Sequence, residues 1–299
     1  MKNSMVIGKQ EVTAVKVLVT GVKGQLGYDV MKSLKKRNME GIGADLEEFD
    51  ITDMDQTRAF IALHKPDAVI HCSAYTAVDK AEENKELCYN VNAKGPENIA
   101  KVCKELDIKM LYISTDYVFP GDGERFYEPD DLTGPLSEYG ATKLEGEKAV
   151  QKLLEKYFIV RISWVFGKNG NNFIKTMLRL GKEKEVMEVV GDQIGSPTYT
   201  ADLAELLCDM IVTEKYGIYH ATNEGVCSWA ALAKEIFKNA GYTTKVNEVS
   251  TEDYAAKYMP KAVRPKNSRM SKEKLVQNGF SKLPSWQDAL RRYLEELNA

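Results

Sequence analysis

Short apolar runs alternate with amphipathic stretches through the first half of the chain. Residues 16–21, KVLVTG, form a β-branched run closed by glycine, and QLGYDVMKSLKKR after it sets Leu26, Val30 and Leu34 at helical spacing with basic residues at its end. A second strand is expected at 39–45 (MEGIGAD), a helix at 55–65 (DQTRAFIALHK) stopped before Pro66, and a buried strand at 67–74 (DAVIHCSA). A long helical region, 77–107, leads into a strand at 109–115 (KMLYIST). Another helix begins near Glu138 and feeds a strand at 157–167, YFIVRISWVFG. This alternation predicts an α/β fold, a Rossmann-type doubly wound parallel sheet with helices on both faces.

The second half is less regular. VMEVVGDQIGSP (186–197) and GIYHATNEG (217–225) read as strands around a helix at 200–212 with Thr200 and Asp202 as polar caps. Near the end, Ser285 three residues before Asp288 has the pattern of a capping box and opens a terminal helix. The expected organisation is an N-terminal extension at 1–15, an NAD(P)-binding Rossmann domain at 16–167 rejoined by a segment at about 192–225, and a smaller C-terminal α/β substrate domain drawn mainly from 168–299.

Composition narrows the function. The 299 residues are 43% hydrophobic and 28% charged, ordinary for a soluble globular protein, and a net charge of −3 gives no basic footprint for nucleic acid. The five cysteines (Cys72, Cys88, Cys103, Cys208 and Cys227) are odd in number and scattered, without zinc-site spacing or a disulfide framework. They read as buried small hydrophobes in a reducing compartment. The first fifteen residues lack the apolar core of a signal peptide, and no run is long enough to cross a bilayer, so the expectation is a cytoplasmic enzyme with no membrane partner.

TGVKGQLG places Gly21, Gly24 and Gly27 between a strand and a helix, the context in which a glycine trio binds a dinucleotide. Gly21 allows the tight turn, Gly24 lets backbone approach a pyrophosphate, and Gly27 lets helix and strand pack closely. Helix-start amides then hold the phosphates without a cationic patch. Asp45, at the end of the second strand, suits both ribose hydroxyls and repels a 2′-phosphate, which favours NADH. Lys23 either pairs with that phosphate or is a solvated surface lysine, so NADPH stays open. Asp50 is a candidate contact for the adenine amine. Gln25, Leu26, Ile51 and Cys72 are also expected on the cofactor wall.

Tyr-x-x-x-Lys occurs twice, at Tyr28/Lys32 and Tyr139/Lys143. Only the second follows a strand ending in a hydroxyl residue, Thr115, and a long loop rich in Gly, Pro and acids (119–137). Such loops outside the carboxyl ends of strands carry function. Residues i and i+4 share a helix face, so the Lys143 ammonium can approach the Tyr139 phenol and, with the positive oxidised nicotinamide when that form is bound, lower its pKa from about 10. Tyr139 then serves as acid or base, Lys143 also holds the nicotinamide ribose, and Thr115 donates a hydrogen bond to a substrate carbonyl. His64, His71 and His220 read as packed or exposed side chains rather than catalytic ones.

Together the glycine loop, STDYVF and YGATK resemble the extended short-chain dehydrogenase/reductase superfamily. A narrower likeness, from Lys16 onward, is to the dTDP-4-dehydrorhamnose reductases. It is carried by TGVKGQLG, DITD (50–53), AYTAVDKAE (74–82), VNAKGPENIA (91–100), STDYVFPG (114–121), YGATK (139–143), RISWVFG (161–167), DQIGSPT (192–198) and RPKNSRM (264–270). The resemblance implies a Thr115, Tyr139, Lys143 catalytic set and substrate contacts from Asp116, Tyr117 and Trp164. It implies a cofactor wall of Ala74, Tyr75 and Thr76, with Asn92 in active-site organisation and Val78, Asp79 and Lys80 as wall positions. Arg264 and Arg269 suit the diphosphate of a nucleotide-sugar, with a surface cation the equal alternative for either and the favoured reading for Arg269.

The implied reaction is reduction of the 4-keto group of dTDP-6-deoxy-L-lyxo-4-hexulose to dTDP-L-rhamnose. A homodimer is left open and no metal ligands are assigned. Two other readings stay open: an NAD-dependent nucleotide-sugar epimerase or dehydratase, and a non-catalytic nucleotide-binding regulatory subunit.

Overall fold

Six parallel strands form the central sheet in the order Gly217–His220, β5 (Tyr157–Ile162), β4 (Lys109–Thr115), β3 (Ala68–His71), β1 (Lys16–Thr20), β2 (Glu40–Ala44). The computed structural model describes residues 15–298, so all of the expected extension except Val15 lies outside the described residues. Side chains alternate across the sheet. Val17 and Val19 pack on one face with the helices Gln25–Lys36 and Thr200–Ile211. Leu18, Val69, Met110 and Ile159 pack on the other with the helices Met54–His64, Gly95–Glu105 and Glu138–Leu153. Both faces are therefore covered, which explains why β1 and β3 read as continuous apolar runs rather than alternating ones. The strand order turns at β1, between β2 and β3, and the crevice outside the carboxyl ends opens there.

A second core lies among the helices Phe173–Glu183, Trp229–Ala240 and Trp286–Asn298 and the parallel pair Val186–Val190 with Lys245–Val249. A small sheet of Cys227–Ser228, Ile194–Gly195 and Asn267–Ser268 adjoins it. All five cysteines are free. Among the described residues, no helix is long and apolar enough to cross a membrane.

Three sequence expectations are corrected. The helical region 77–107 is broken into Val78–Ala81, Lys85–Tyr89, a π turn Asn90–Lys94, and Gly95–Glu105. Pro96 has no amide hydrogen to give the carbonyl four residues back, and the Tyr112 hydroxyl donates to that Asn92 carbonyl instead, at 3.2 Å. The strand at 157–167 is also interrupted. β5 ends at Ile162 and a short strand Val165–Phe166 follows, because Trp164 takes a left-handed φ of 50° and leaves the sheet. Finally, Thr200 and Asp202 do not cap their helix. The Thr200 hydroxyl donates to Asp29 at 2.5 Å, and Asp202 accepts two 2.7 Å bonds from the Arg292 guanidinium.

Candidate active site

The carboxyl ends of β1, β2, β3, β4 and β5 open on one cleft of about 770 Å³, within the range of small-molecule sites. It runs from the glycine loop to Trp164, and its wall includes Thr115, Asp116, Tyr117, Tyr139 and Lys143.

At one end, Gly21 has a φ of 73° and sits so close to β3 that an added Cβ would lie 2.8 Å from the Ser73 nitrogen. Gly24 precedes the first helix and no side chain caps that helix, while its first turn carries no acid. Free amides beside a backbone without side chains fit a pyrophosphate. A Cβ on Gly27 would stand 2.3 Å from the Gly21 carbonyl oxygen and 2.9 Å from Val22 Cα, and backbone there has nowhere to yield. Gly27→Ala is expected to destabilise the fold by about 1–3 kcal/mol and weaken dinucleotide binding. Thermal denaturation and a cofactor titration check this, and a variant matching the wild type in both contradicts the packing role.

Asp45 accepts hydrogen bonds from the Lys23 and Leu46 amides at 3.0 and 3.1 Å, so it fastens the glycine loop to the end of β2. The Lys23 ammonium is paired with Glu47 at 2.5 Å, both groups being exposed. Asp50 accepts from the amide and hydroxyl of Thr52, each at 2.8 Å. Gln25, Leu26, Ile51, Cys72, Ala74 and Thr76 all line the cleft. The Gln25 side-chain oxygen also accepts from the Gly167 amide and the Asn172 carboxamide, both at 2.9 Å, which clasps the first loop to the one after Phe166.

At the other end, Ser137 caps the helix Glu138–Leu153 by accepting from the Gly140 amide, and this sets the half-buried Tyr139 and the buried Lys143 on the cleft wall. The Tyr139 ring meets Tyr117 edge-on at 5.4 Å. Lys143 donates to the Ile113 carbonyl at 2.7 Å and lies 4.0 Å over the Tyr112 ring. Burial pulls its pKa down to about 7. Burial dominates the Tyr139 phenol, and no lowering by Lys143 offsets it. Burial pushes the phenol well above its ordinary value, the Thr115 hydroxyl only partly offsets this, and the ammonium is spent on Ile113. Thr115 accepts from the Tyr117 amide and donates to Asp116. Burial raises the Asp116 carboxyl to about 6. Trp164 stacks on Trp229 at 3.7 Å, its ring resting against Gly195.

The structure does not bring every expected residue to the wall. Tyr75 and Asn92 stand behind it. The Asn92 carboxamide accepts from the Tyr75 amide at 2.8 Å and donates to its carbonyl at 3.1 Å, so Asn92 holds the loop after β3 rather than reaching the cleft. Arg264 is also absent from the wall, since Asp79 takes its guanidinium in a paired contact. Lining residues that sequence reasoning passed over include Ser73, Ser163, Val165 and Asn171. Ser73 and Ser163 carry the signal that singled out Thr115, a hydroxyl where a strand ends. His71 and His220 are buried, with hydrogen bonds to Thr20 and the Ser271 carbonyl respectively.

Comparison with known proteins agrees with this geometry. The chain matches the RmlD substrate binding domain family over residues 15–299. It is 40% identical to a dTDP-4-dehydrorhamnose reductase of Aggregatibacter actinomycetemcomitans over 290 residues, covering 92% of this chain and 97% of that one. The crystal structure of a dTDP-4-dehydrorhamnose reductase from Clostridium acetobutylicum superposes with a TM-score of 0.92 at 41% identity, covering 95% of this chain and 100% of that one. That of the Bacillus anthracis dTDP-4-dehydrorhamnose reductase, in complex with NADP, gives 0.91 at 44% identity, covering 95% and 99%. With likeness of this extent along nearly its whole length, the chain belongs to the RmlD substrate binding domain family, among the dTDP-4-dehydrorhamnose reductases.

Proposed function

We propose that this chain reduces the 4-keto group of dTDP-4-dehydrorhamnose in dTDP-rhamnose biosynthesis, with Thr115, Tyr139 and Lys143 as its catalytic set. The observation that carries the reading is the meeting of those three side chains, distant in sequence, on the wall of a cleft that also contains the glycine loop. A bound dihydronicotinamide supplies the hydride for C4. Tyr139 gives its proton to the developing alkoxide, and burial keeps that proton in place across neutral pH, the state a general acid requires. Lys143 holds the helix face against the end of β4 and stands ready for a ribose hydroxyl. Thr115 polarises the ketone oxygen by hydrogen bonding. Trp164, propped on Trp229, lies at the sugar end.

The test is net oxidation of NADH or NADPH by the keto-sugar. An epimerase or dehydratase recycles its cofactor and consumes none, and a regulatory subunit binds without turnover; either result overturns the reading.

The cofactor preference follows from charge. Asp45, Glu47 and Glu48 surround Lys23, and its ammonium is already neutralised by Glu47. A 2′-phosphate enters that cluster at a cost, so NADH is the favoured donor and NADPH the second. Asp45→Ala is expected to raise the ratio of kcat/KM for NADPH over NADH by about tenfold, the effect of roughly 1.4 kcal/mol. An unchanged ratio removes Asp45 from cofactor selection.

A further inference from the structure

We propose that Asp116 works as a neutral acid that turns the Thr115 hydroxyl toward the ketone, completing a donor relay from Ser268 through Asp116 to Thr115. The inference rests on the reductase reading above and assigns a positioning role within it.

A threonine hydroxyl has one hydrogen and two acceptor sites. One acceptor site of Thr115 is filled by the Tyr117 amide at 3.2 Å, and Asp116 Oδ1 lies 3.1 Å away on another side. An ionised carboxylate only accepts, so it takes the single hydrogen of Thr115 and the hydrogen of Ser268 together. Thr115 then presents a lone pair, not a hydrogen, to a ketone oxygen. With a proton on Oδ1 the bond reverses. Oδ1–H donates to Thr115, both acceptor sites of Thr115 are occupied, and its own hydrogen is left for the Tyr139 phenol oxygen and for a ketone oxygen in the cleft beside it. Ser268 continues to donate to Oδ2, which keeps the acid proton on Oδ1, the oxygen facing Thr115.

Burial favours the neutral form, against the hydrogen bonds from Ser268, Thr115 and the Asp116 and Tyr117 amides, which favour the ionised one. Asp116 is 3% exposed. The ionisable groups facing it are Tyr117 on its own turn and Tyr139 on the neighbouring helix, both neutral phenols. Strand Asn267–Ser268 offers a hydroxyl and no charge. No cation acts on it, Arg264 being committed to Asp79 and Lys143 to the Ile113 carbonyl. Burial without a cation raises a carboxyl pKa, here to about 6. The donor-competent form is present below that pKa and is lost as pH rises through it.

The experiment is the pH profile of kcat/KM for the keto-sugar in wild type, Asp116→Asn, Asp116→Leu and Ser268→Ala. Wild type should show two descending limbs, the lower from Asp116 and the upper from Tyr139. Asparagine copies the neutral acid, its amide donating to Thr115 and its oxygen accepting from Ser268, so the lower limb should vanish while the upper remains. Leucine fills the space without the bond and should lower kcat/KM by about tenfold or more at every pH, chiefly in kcat. Ser268→Ala removes a bond that favours the ionised form, so the lower limb should move to higher pH. The relay is overturned if Asp116→Asn keeps the wild-type lower limb, or if it is as impaired as Asp116→Leu. A wild-type enzyme that oxidises no cofactor with the keto-sugar overturns the reductase reading itself.

Discussion

Tyr139→Phe is expected to lower kcat for keto-sugar reduction by about 10²–10⁴-fold, the span that a positioned general acid contributes, while cofactor affinity stays near the wild-type value. The substitution is a clean one because the ring has a packing role separate from its hydroxyl. Its edge-on contact with Tyr117 survives in phenylalanine, and the Ser137 cap that orients the first turn of its helix is untouched. Nor does the hydroxyl anchor Lys143, which is bonded to the Ile113 carbonyl. The loss should therefore appear in kcat and not in stability. In wild type, the high phenol pKa means that its acid form persists through neutral pH, so the limb that Tyr139 sets falls at alkaline pH, above the one that Asp116 sets. Steady-state kinetics with a fluorescence titration of the reduced cofactor separates the two quantities. A phenylalanine variant within tenfold of wild type moves the proton to another donor, of which Asp116 is the nearest candidate.

The parts of this molecule that were legible in sequence are those where one local rule dominates. β1, the glycine loop and the first helix follow from a β-branched run, three glycines and a 3.6-residue period, because both faces of a parallel sheet must be apolar. Thr115, Tyr139 and Lys143 meet on the cleft wall where the same reasoning expects them, since ligands bind outside the carboxyl ends of strands. What escaped depends on partners remote in the chain. The π turn at Asn90–Lys94 reflects Pro96 and the Tyr112 hydroxyl together, and periodicity registers neither. Trp164 leaves its strand to stack on Trp229, a contact that spacing cannot announce. Arg264 looked free for a diphosphate because nothing in the sequence places Asp79 beside it. Helix spacing puts a lysine near Tyr139, but it does not register the burial that raises the phenol.

Glu147→Gln is expected to destabilise the protein by about 3–5 kcal/mol, the cost of breaking one half of a buried ion pair. Glu147 and Arg161 are 1% and 3% exposed and meet through two parallel bonds, Arg161 Nε to Oε1 at 2.9 Å and Nη2 to Oε2 at 2.7 Å. The third guanidinium nitrogen donates to the Pro129 carbonyl at 2.9 Å, and the cation lies 4.9 Å from the Phe119 ring centre. One side chain on β5 thus fastens both the helix carrying Tyr139 and Lys143 and the loop that joins that helix to Thr115. Glutamine keeps the shape and one acceptor but leaves a buried guanidinium without its counter-charge. Arg161→Met strands the carboxylate instead and should be destabilising too. The pair itself adds little net stability, because desolvating two charges offsets most of their attraction. Hence Glu147→Leu combined with Arg161→Met should be far less destabilised than the sum of Glu147→Leu and Arg161→Met made singly, with a coupling energy well above 1 kcal/mol in that double-mutant cycle. Urea denaturation reads all four corners. Single variants within about 1 kcal/mol of wild type, or strictly additive effects, mean that loop and helix are held by the small apolar cluster of Val118, Phe119, Tyr127, Leu144 and Met270 rather than by the charges.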